Sequence, residues 1–461
     1  MNKTFLFLGL ATLCGCTVGP DYKRPNSVSD EQINASLNIK DTDVTINKEW
    51  YKSFGDERLN KLIDLALIDN PDANAAIEKL KQARLALEIQ GVQYYPTFDV
   101  SGGYTKLKPS KNLLGSEKEN YYRIGLDASW ELDIWGGGRR LTESEKAMAN
   151  VAAENLKNVL ISLKAEVANN YISLRQAQEQ LKLLKRTLKL QNKIVQISSN
   201  KEKSGLITKT DLIRAQYAAD GIKSKIPSIK TSINVYKNNL TLLTGKLPEQ
   251  LNDLLNDTSQ NIIRDTYVYS PEALNQIPLN ALRSRPDVSA AEQNLIAQNA
   301  LIGKAVSDLF PSVSLTAFFG FQSDHFNRLL KRNSSMFSLS PAINMPLFHW
   351  GALFKQIDLQ KSKTKEAAFA YQKAVLNAAA DIKNAINAVS QNAILNKTNE
   401  LALNKMKNIS GLTLTQYDSG LLPLNDTLSV LQDVLQAKTD LIQSKGSFYQ
   451  SVVGFYKSIG Y

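Results

Sequence analysis

Cysteine and histidine are nearly missing from the 461 residues: there are two of each, and both cysteines, Cys14 and Cys16, fall within the first 16 positions. Everything after Cys16 is therefore free of any disulfide framework. His325 and His349 have no cysteine near them, which excludes the ligand spacing of a zinc site. Past the N-terminus no run of 18 apolar residues occurs, so no transmembrane helix is expected. The basic excess, 55 Lys and Arg against 44 Asp and Glu, is spread along helix-like stretches and not gathered into a stripe with aromatics. Nucleic acid is excluded as a partner on that ground. Proline and glycine are absent from residues 139–204 and again from 353–410.

What the chain does contain, it contains twice. At a constant separation of 215 residues Glu57 matches Glu272, Pro71 matches Pro286, Asp72 matches Asp287, and Pro96 matches Pro311. The same offset joins Leu132 to Leu347, Trp135 to Trp350, Gly136 to Gly351, Asp211 to Asp426 and Gly245 to Gly460. A solenoid repeat has a period of roughly 20–50 residues, so this is a duplicated half-fold. The copies are assigned to residues 57–245 and 272–461, with a polar connector over 246–271.

Between Tyr122 and Ile134 the even positions are all apolar and the charges all sit on odd ones. Such period-2 alternation is a strand signal, and its length suits a membrane-crossing strand of about 9–11 residues. The pattern recurs from Phe337 to Leu347, and earlier strands start near Phe98 and Val313, so hairpins are predicted over residues 97–134 and 312–347. A soluble sandwich with an apolar inner face is the competing reading. Four strands cannot close a barrel, since small barrels begin at about eight, and orphaned edges facing lipid cost several kcal/mol for each backbone group. Membrane-inserted strands therefore require several chains in one barrel. Three would give twelve strands, with Asp99, Asp127, Glu131 and Asp133 lining the lumen.

The Pro- and Gly-free stretches predict helices over residues 137–201 and 352–417. Each ends at Ser-Gly-Leu (Ser204, Gly205, Leu206 and Ser419, Gly420, Leu421), where glycine permits the left-handed closing turn. Helices then return over residues 209–245 and 424–460, the first kinked at Pro227. Asp211 falls in a first turn, where a carboxylate suits the helix dipole. Shorter helices are expected before each hairpin, over 57–69, 71–95, 272–282 and 286–309.

The first residues read as a targeting segment: Lys3, a short apolar stretch, then Leu13-Cys14-Gly15-Cys16. This resembles a bacterial lipobox, implying a signal peptide over 1–15 and lipidated Cys16 at the head of a segment reaching residue 56. A plain secretory signal is the alternative. The run from Cys16 to Pro25 (CTVGPDYKRP), with Trp50 to Asp56 (WYKSFGD), Arg285-Pro286-Asp287-Val288 and Phe310-Pro311-Ser312, resembles the TolC/OprM-type outer-membrane efflux ducts, specifically their lipoprotein (NodT-like) branch. The resemblance covers nearly all of the chain after the signal.

It implies a mixed α/β membrane protein assembling as a homotrimer, with a twelve-stranded β-barrel in the outer membrane on a periplasmic α-helical barrel. It further implies contact through the Ser-Gly-Leu turns with a periplasmic adaptor, and an inner-membrane pump, usually of the resistance-nodulation-division type. In that family a leucine and an aspartate on the returning helix of the second copy pinch the duct. The matching positions here are Asn425 and Ser429, so a polar constriction formed with Asp418 and Asp426 is expected instead. Gly136-Gly137-Gly138-Arg139-Arg140 could imitate a phosphate nest, but its copy keeps only the first glycine, and a strand-to-helix turn fits better. No catalytic site and no cofactor are predicted. A transport duct, for small molecules or for secreted protein, stands against a non-transporting periplasmic spacer, which would have no use for four amphipathic strands.

Overall fold

The computed structural model describes residues 17–25, 49–108, 110, 119–256 and 282–461. The lipidation candidate Cys16, the signal segment, residues 257–271 of the connector and the helix expected to begin at 272 lie outside the described residues. In chain order the elements are α1 (Glu57–Asp69), α2 (Pro71–Val92), β1 (Thr97–Leu107), β2 (Glu119–Leu132), α3 (Gly137–Lys203), α4 (Lys209–Lys223), α5 (Ile226–Thr244) and α6 (Pro248–Asn256). They continue with α7 (Pro286–Ser307), β3 (Ser312–Ser323), β4 (Ser335–Asn344), α8 (Ala352–Asp418) and α9 (Leu424–Ser458). None of the described helices is long and apolar enough to cross a membrane.

The chain forms two compact units. One gathers residues up to Asn26, Lys79–Ala153 and Ala290–Gln372. The other gathers Ser27–Glu78, Glu154–Ser289 and Lys373–Tyr461. In the first, the four strands make one antiparallel sheet in the order β1-β2-β3-β4. Both hairpins share one register: Thr97 faces Ser129 in the first copy and Ser312 faces Asn344 in the second, each pair displaced by the repeat offset. The copies meet at β2–β3, where Leu132 faces Val313 and Tyr122 faces Ser323. Residues 17–25 are pinned onto this unit. Val18 donates to the Trp135 carbonyl at 3.1 Å, Arg140 donates to Val18 O and Asp21, and Arg24 makes a fork onto Glu292.

The second unit has an aromatic centre. Trp50 is 1% exposed, stacks on Tyr456 at 5.2 Å and meets Tyr51 and Phe54 edge-on. Asp56 caps α1 by accepting from the Arg58 amide, and accepts the Tyr171 hydroxyl at 2.5 Å. Burial pushes the Tyr171 phenol far above its usual range, and the neighbouring Asp56 adds to the rise against Arg175. Trp50 and Asp56 of this segment thus serve packing and capping.

α3 and α8 are 67 residues each, about 100 Å of helix at 1.5 Å per residue. Three sequence expectations need correction. The return helix expected over 209–245 is two helices, α4 and α5, because Pro227 lacks an N–H and sits in the first turn of α5. The connector is not merely polar: α6 occupies its start and buries Leu251 and Leu255, and fully buried Arg175 donates to the Leu254 and Leu255 carbonyls. Asp133 lies just past the strand in which it was expected, because β2 ends at Leu132. Its carboxylate accepts the Gly138 and Arg139 amides at 2.9 and 3.0 Å, capping α3.

Candidate functional site

The sheet presents two unlike faces. One carries Phe98, Val100 and Tyr104 of β1, Ile124 and Leu126 of β2, Phe319 of β3, and Phe337, Leu339 and Ile343 of β4, all exposed. This many large apolar side chains on one strand face marks contact with lipid or protein and not with water. The other face carries Asp99, Ser101, Arg123, Asp127, Glu131 and Thr316. Here Arg123 pairs with Asp127 at 2.8 Å, and the Ser101 hydroxyl donates to the same carboxylate.

Phe318 breaks the alternation. It stands on the polar face opposite Asp127, yet is 3% exposed. Its ring lies 3.7 Å beneath the Arg123 guanidinium and fills the hollow left by Gly125 and Gly320, where an added Cβ would come within 2.6 and 2.7 Å of the ring. Sequence reading missed this plug, because a single aromatic out of phase looks like noise. The Gly125/Gly320 pair, directly opposed in register, was the available signal.

In the second unit, the predicted tip turns share one geometry. Gly205 and Gly420 adopt φ of 70° and 74°. The amides of Leu206 and Leu421 close 2.8 Å bonds onto Lys201 O and Gln416 O, the six-to-one bond of the Schellman closure. Leu206 and Leu421 are 72% and 76% exposed, and Ser204 and Ser419 are exposed with them. Lys201 lies over the Tyr417 ring at 4.6 Å, tying the ends of α3 and α8 together.

The aperture candidates are placed as follows. Asp418 is the last residue of α8, while Asn425, Asp426 and Ser429 open α9 and are all exposed. Asn425 and Ser429, four apart, share one face. At the matching start of α4, Thr208 and Asp211 form a reciprocal capping box. The Thr208 side chain and amide hold the exposed Asp211 carboxyl below its usual range. In the second copy Thr208 is replaced by Pro423, which caps nothing, so Asp426 makes none of Asp211's bonds.

His325 pairs with Asp324 at 3.0 Å. Among the described residues no group of three His, Cys, Asp or Glu is arranged to hold a metal.

Comparison with known proteins fits this geometry. A family model described as "Outer membrane efflux protein" matches residues 62–246 and 277–461, one match per copy. Among curated proteins, the cation efflux system protein CusC of Escherichia coli K12 is 27% identical over 389 residues, covering 83% of this chain and 82% of its own. Nodulation protein T of Rhizobium leguminosarum bv. trifolii is 26% identical, covering 82% of this chain and 80% of its own. Among solved structures, the outer-membrane channel OprN superposes with a TM-score of 0.87 at 26% identity, covering 96% of this chain and 99% of its own. The CmeC outer membrane channel of Campylobacter jejuni gives 0.86 at 27%, covering 96% and 95%.

Proposed function

Since the chain belongs to the outer membrane efflux protein family, we propose that it is the outer-membrane channel of a tripartite efflux pump, a passive water-filled exit for drugs or other small molecules. One observation carries the reading: a family match over both copies falls on a sheet whose apolar face is exposed and whose outer strands, β1 and β4, are each paired on one side only. Unpaired backbone cannot face lipid, so further copies complete the wall, and a homotrimer with a twelve-stranded barrel satisfies that requirement.

Cys16 is assigned as the lipidated residue. Val18, two residues on, bonds to Trp135 O just beyond the end of β2. Several acyl chains hold where one would not. The exposed Leu206 and Leu421 turns are assigned to the periplasmic adaptor, through which the channel meets an inner-membrane pump of resistance-nodulation-division type.

The aperture is assigned to Asp418, Asn425, Asp426 and Ser429, a polar ring whose Asp426 carboxylate is not consumed by capping. In planar bilayers the purified protein should give discrete conductance steps, and Asn425→Leu should lower the unit conductance. A structural spacer would give no steps, and an unchanged conductance in the variant would remove Asn425 from the constriction.

A further inference from the structure

The apolar side of the sheet changes chemistry along its length. Alternate residues of β1 share that side, and from the α2 end to the hairpin end they read Phe98, Val100, Gly102, Tyr104 and Lys106. We infer that the hairpin end of this side, with the β3–β4 loop beyond it, binds phosphorylated lipid headgroups on the outer side of the outer membrane. Lys106, Arg328, Lys331 and Arg332 supply the charge. This rests on the channel reading above, which puts the helices in the periplasm and the hairpin ends outside.

Rings mark the membrane boundary. Tyr104 faces Tyr122 in register, with centroids 4.7 Å apart. Phe326, which opens a short 3-10 turn (Phe326–Arg328), meets Tyr122 edge-on at 5.5 Å. The loop therefore leaves the sheet on its apolar side. Tyrosines gather at membrane–water boundaries, and this pair lies one step short of Lys106 on β1.

Beyond the rings the side chains become cationic. Arg328, Lys331 and Arg332 fall within five positions and are all exposed. The single acid of the loop, Asp324, is engaged by His325 at 3.0 Å. Glu119, at the start of β2, falls with Leu107 on the opposite side of the sheet, whereas Lys106 faces the neutral Asn120. The loop holds its cations in place: Leu329 is 6% exposed, and the Ser334 hydroxyl and Lys331 amide both donate to the Arg328 carbonyl, at 2.8 and 3.0 Å. Arginine grips phosphate through paired N–H donors. A free anion would use the cations but leave Phe326 and Leu330, 72% and 73% exposed, facing water. A lipid satisfies both, with phosphate against the cations and acyl chain against the rings.

The test titrates the full-length, detergent-purified protein with diphosphoryl lipid A, and with the same lipid stripped of its phosphates, read by native mass spectrometry. Arg328→Gln, Lys331→Gln and Arg332→Gln combined should weaken binding of the phosphorylated lipid about a hundredfold, and Lys106→Gln alone about fivefold, at the usual worth of a basic residue beside anionic lipid. The stripped lipid should not distinguish the variants. A control of equal charge change on exposed positions of α3, Lys185→Gln with Lys189→Gln and Lys193→Gln, should bind as the wild type does. Unchanged binding in the loop variant, or equal loss in the control, would overturn the site. Displacement of the lipid by inorganic phosphate at equal phosphate concentration would make it a free-anion site and overturn the lipid assignment. A wild type that conducts in planar bilayers yet shows no preference for the phosphorylated lipid would overturn this inference alone. A wild type that gives no conductance steps would overturn the channel reading.

Discussion

Asn70 and Arg285 hold the same place in their copies, one residue before the proline that starts α2 or α7, and both reach the same equivalent backbone atom. Asn70 donates to Leu243 O at 2.8 Å, and Arg285 donates to Ser458 O at 2.6 Å. The first junction stops there, apart from Asn70 capping α2 at the Ala73 amide. The second recruits a fork onto Asp287 and a further bond to Asp381. The sheet shows the same contrast: Gly103 of the first copy stands where Phe318 plugs the polar face in the second. So does the tip, where Thr208 caps its helix and Pro423 does not. Duplication preserved the backbone frame, and side chains diverged where each copy has a different job within it.

Substitutions can break these comparisons in order of size. Arg285→Ala should be the most damaging, about 2–3 kcal/mol, because it removes a buried guanidinium that bonds two partly exposed carboxylates and a carbonyl. Asn70→Ala should cost only about 1–2 kcal/mol. Hydrogen exchange at the α2 and α7 starts would rank them, and equal protection loss would show that the extra charges add nothing. Gly125→Ala should destabilise the sheet by about 1–3 kcal/mol by driving a methyl into Phe318. Gly103→Ala, with nothing within 4 Å of its added carbon, should be near neutral.

Acid separates the two junctions as well. Burial raises the Asp287 carboxyl, but the hydrogen bond and charge of Arg285 outweigh it and hold the group below its usual value. A carboxylate depressed on folding contributes stability above its unfolded pKa, about 3.9, and loses it as pH falls through the folded value. Protection at the start of α7 should therefore weaken below about pH 4 while the Asn70 junction is unmoved, and Asp287→Asn should flatten that limb. The smallest effects belong to the tips. Thr208→Ala should cost about 1 kcal/mol locally, and Pro423→Thr should stabilise the start of α9 by a similar or smaller amount. By engaging Asp426 it should also alter channel conductance. An unchanged conductance would detach Asp426 from the aperture.

Periodicity made most of the fold legible. Strand faces followed from strict alternation between Tyr122 and Ile134, and the long helices from the absence of proline and glycine. The Ser-Gly-Leu turns followed from the need for a left-handed residue. What was missed depends on contacts distant in sequence or on short signals. Asp133 continues the alternation perfectly but is taken by the helix that follows. The turn of α6 carries only Leu251, Leu254 and Leu255 as its pattern. Phe318 makes sense only beside glycines on two strands. Of the site, the exposed tips were readable from local turn chemistry. The difference between Asp211 and Asp426 was not, since it lies in a threonine exchanged for proline three residues earlier.

Native mass spectrometry of the detergent-purified, full-length protein, read together with hydrogen exchange over the two hairpins, tests the central claim most directly. A trimer whose β1 and β4 amides are as protected as those of β2 and β3 is the expected result. A monomer whose hairpins stay protected would mean that one chain seals its own edges, and would contradict the account.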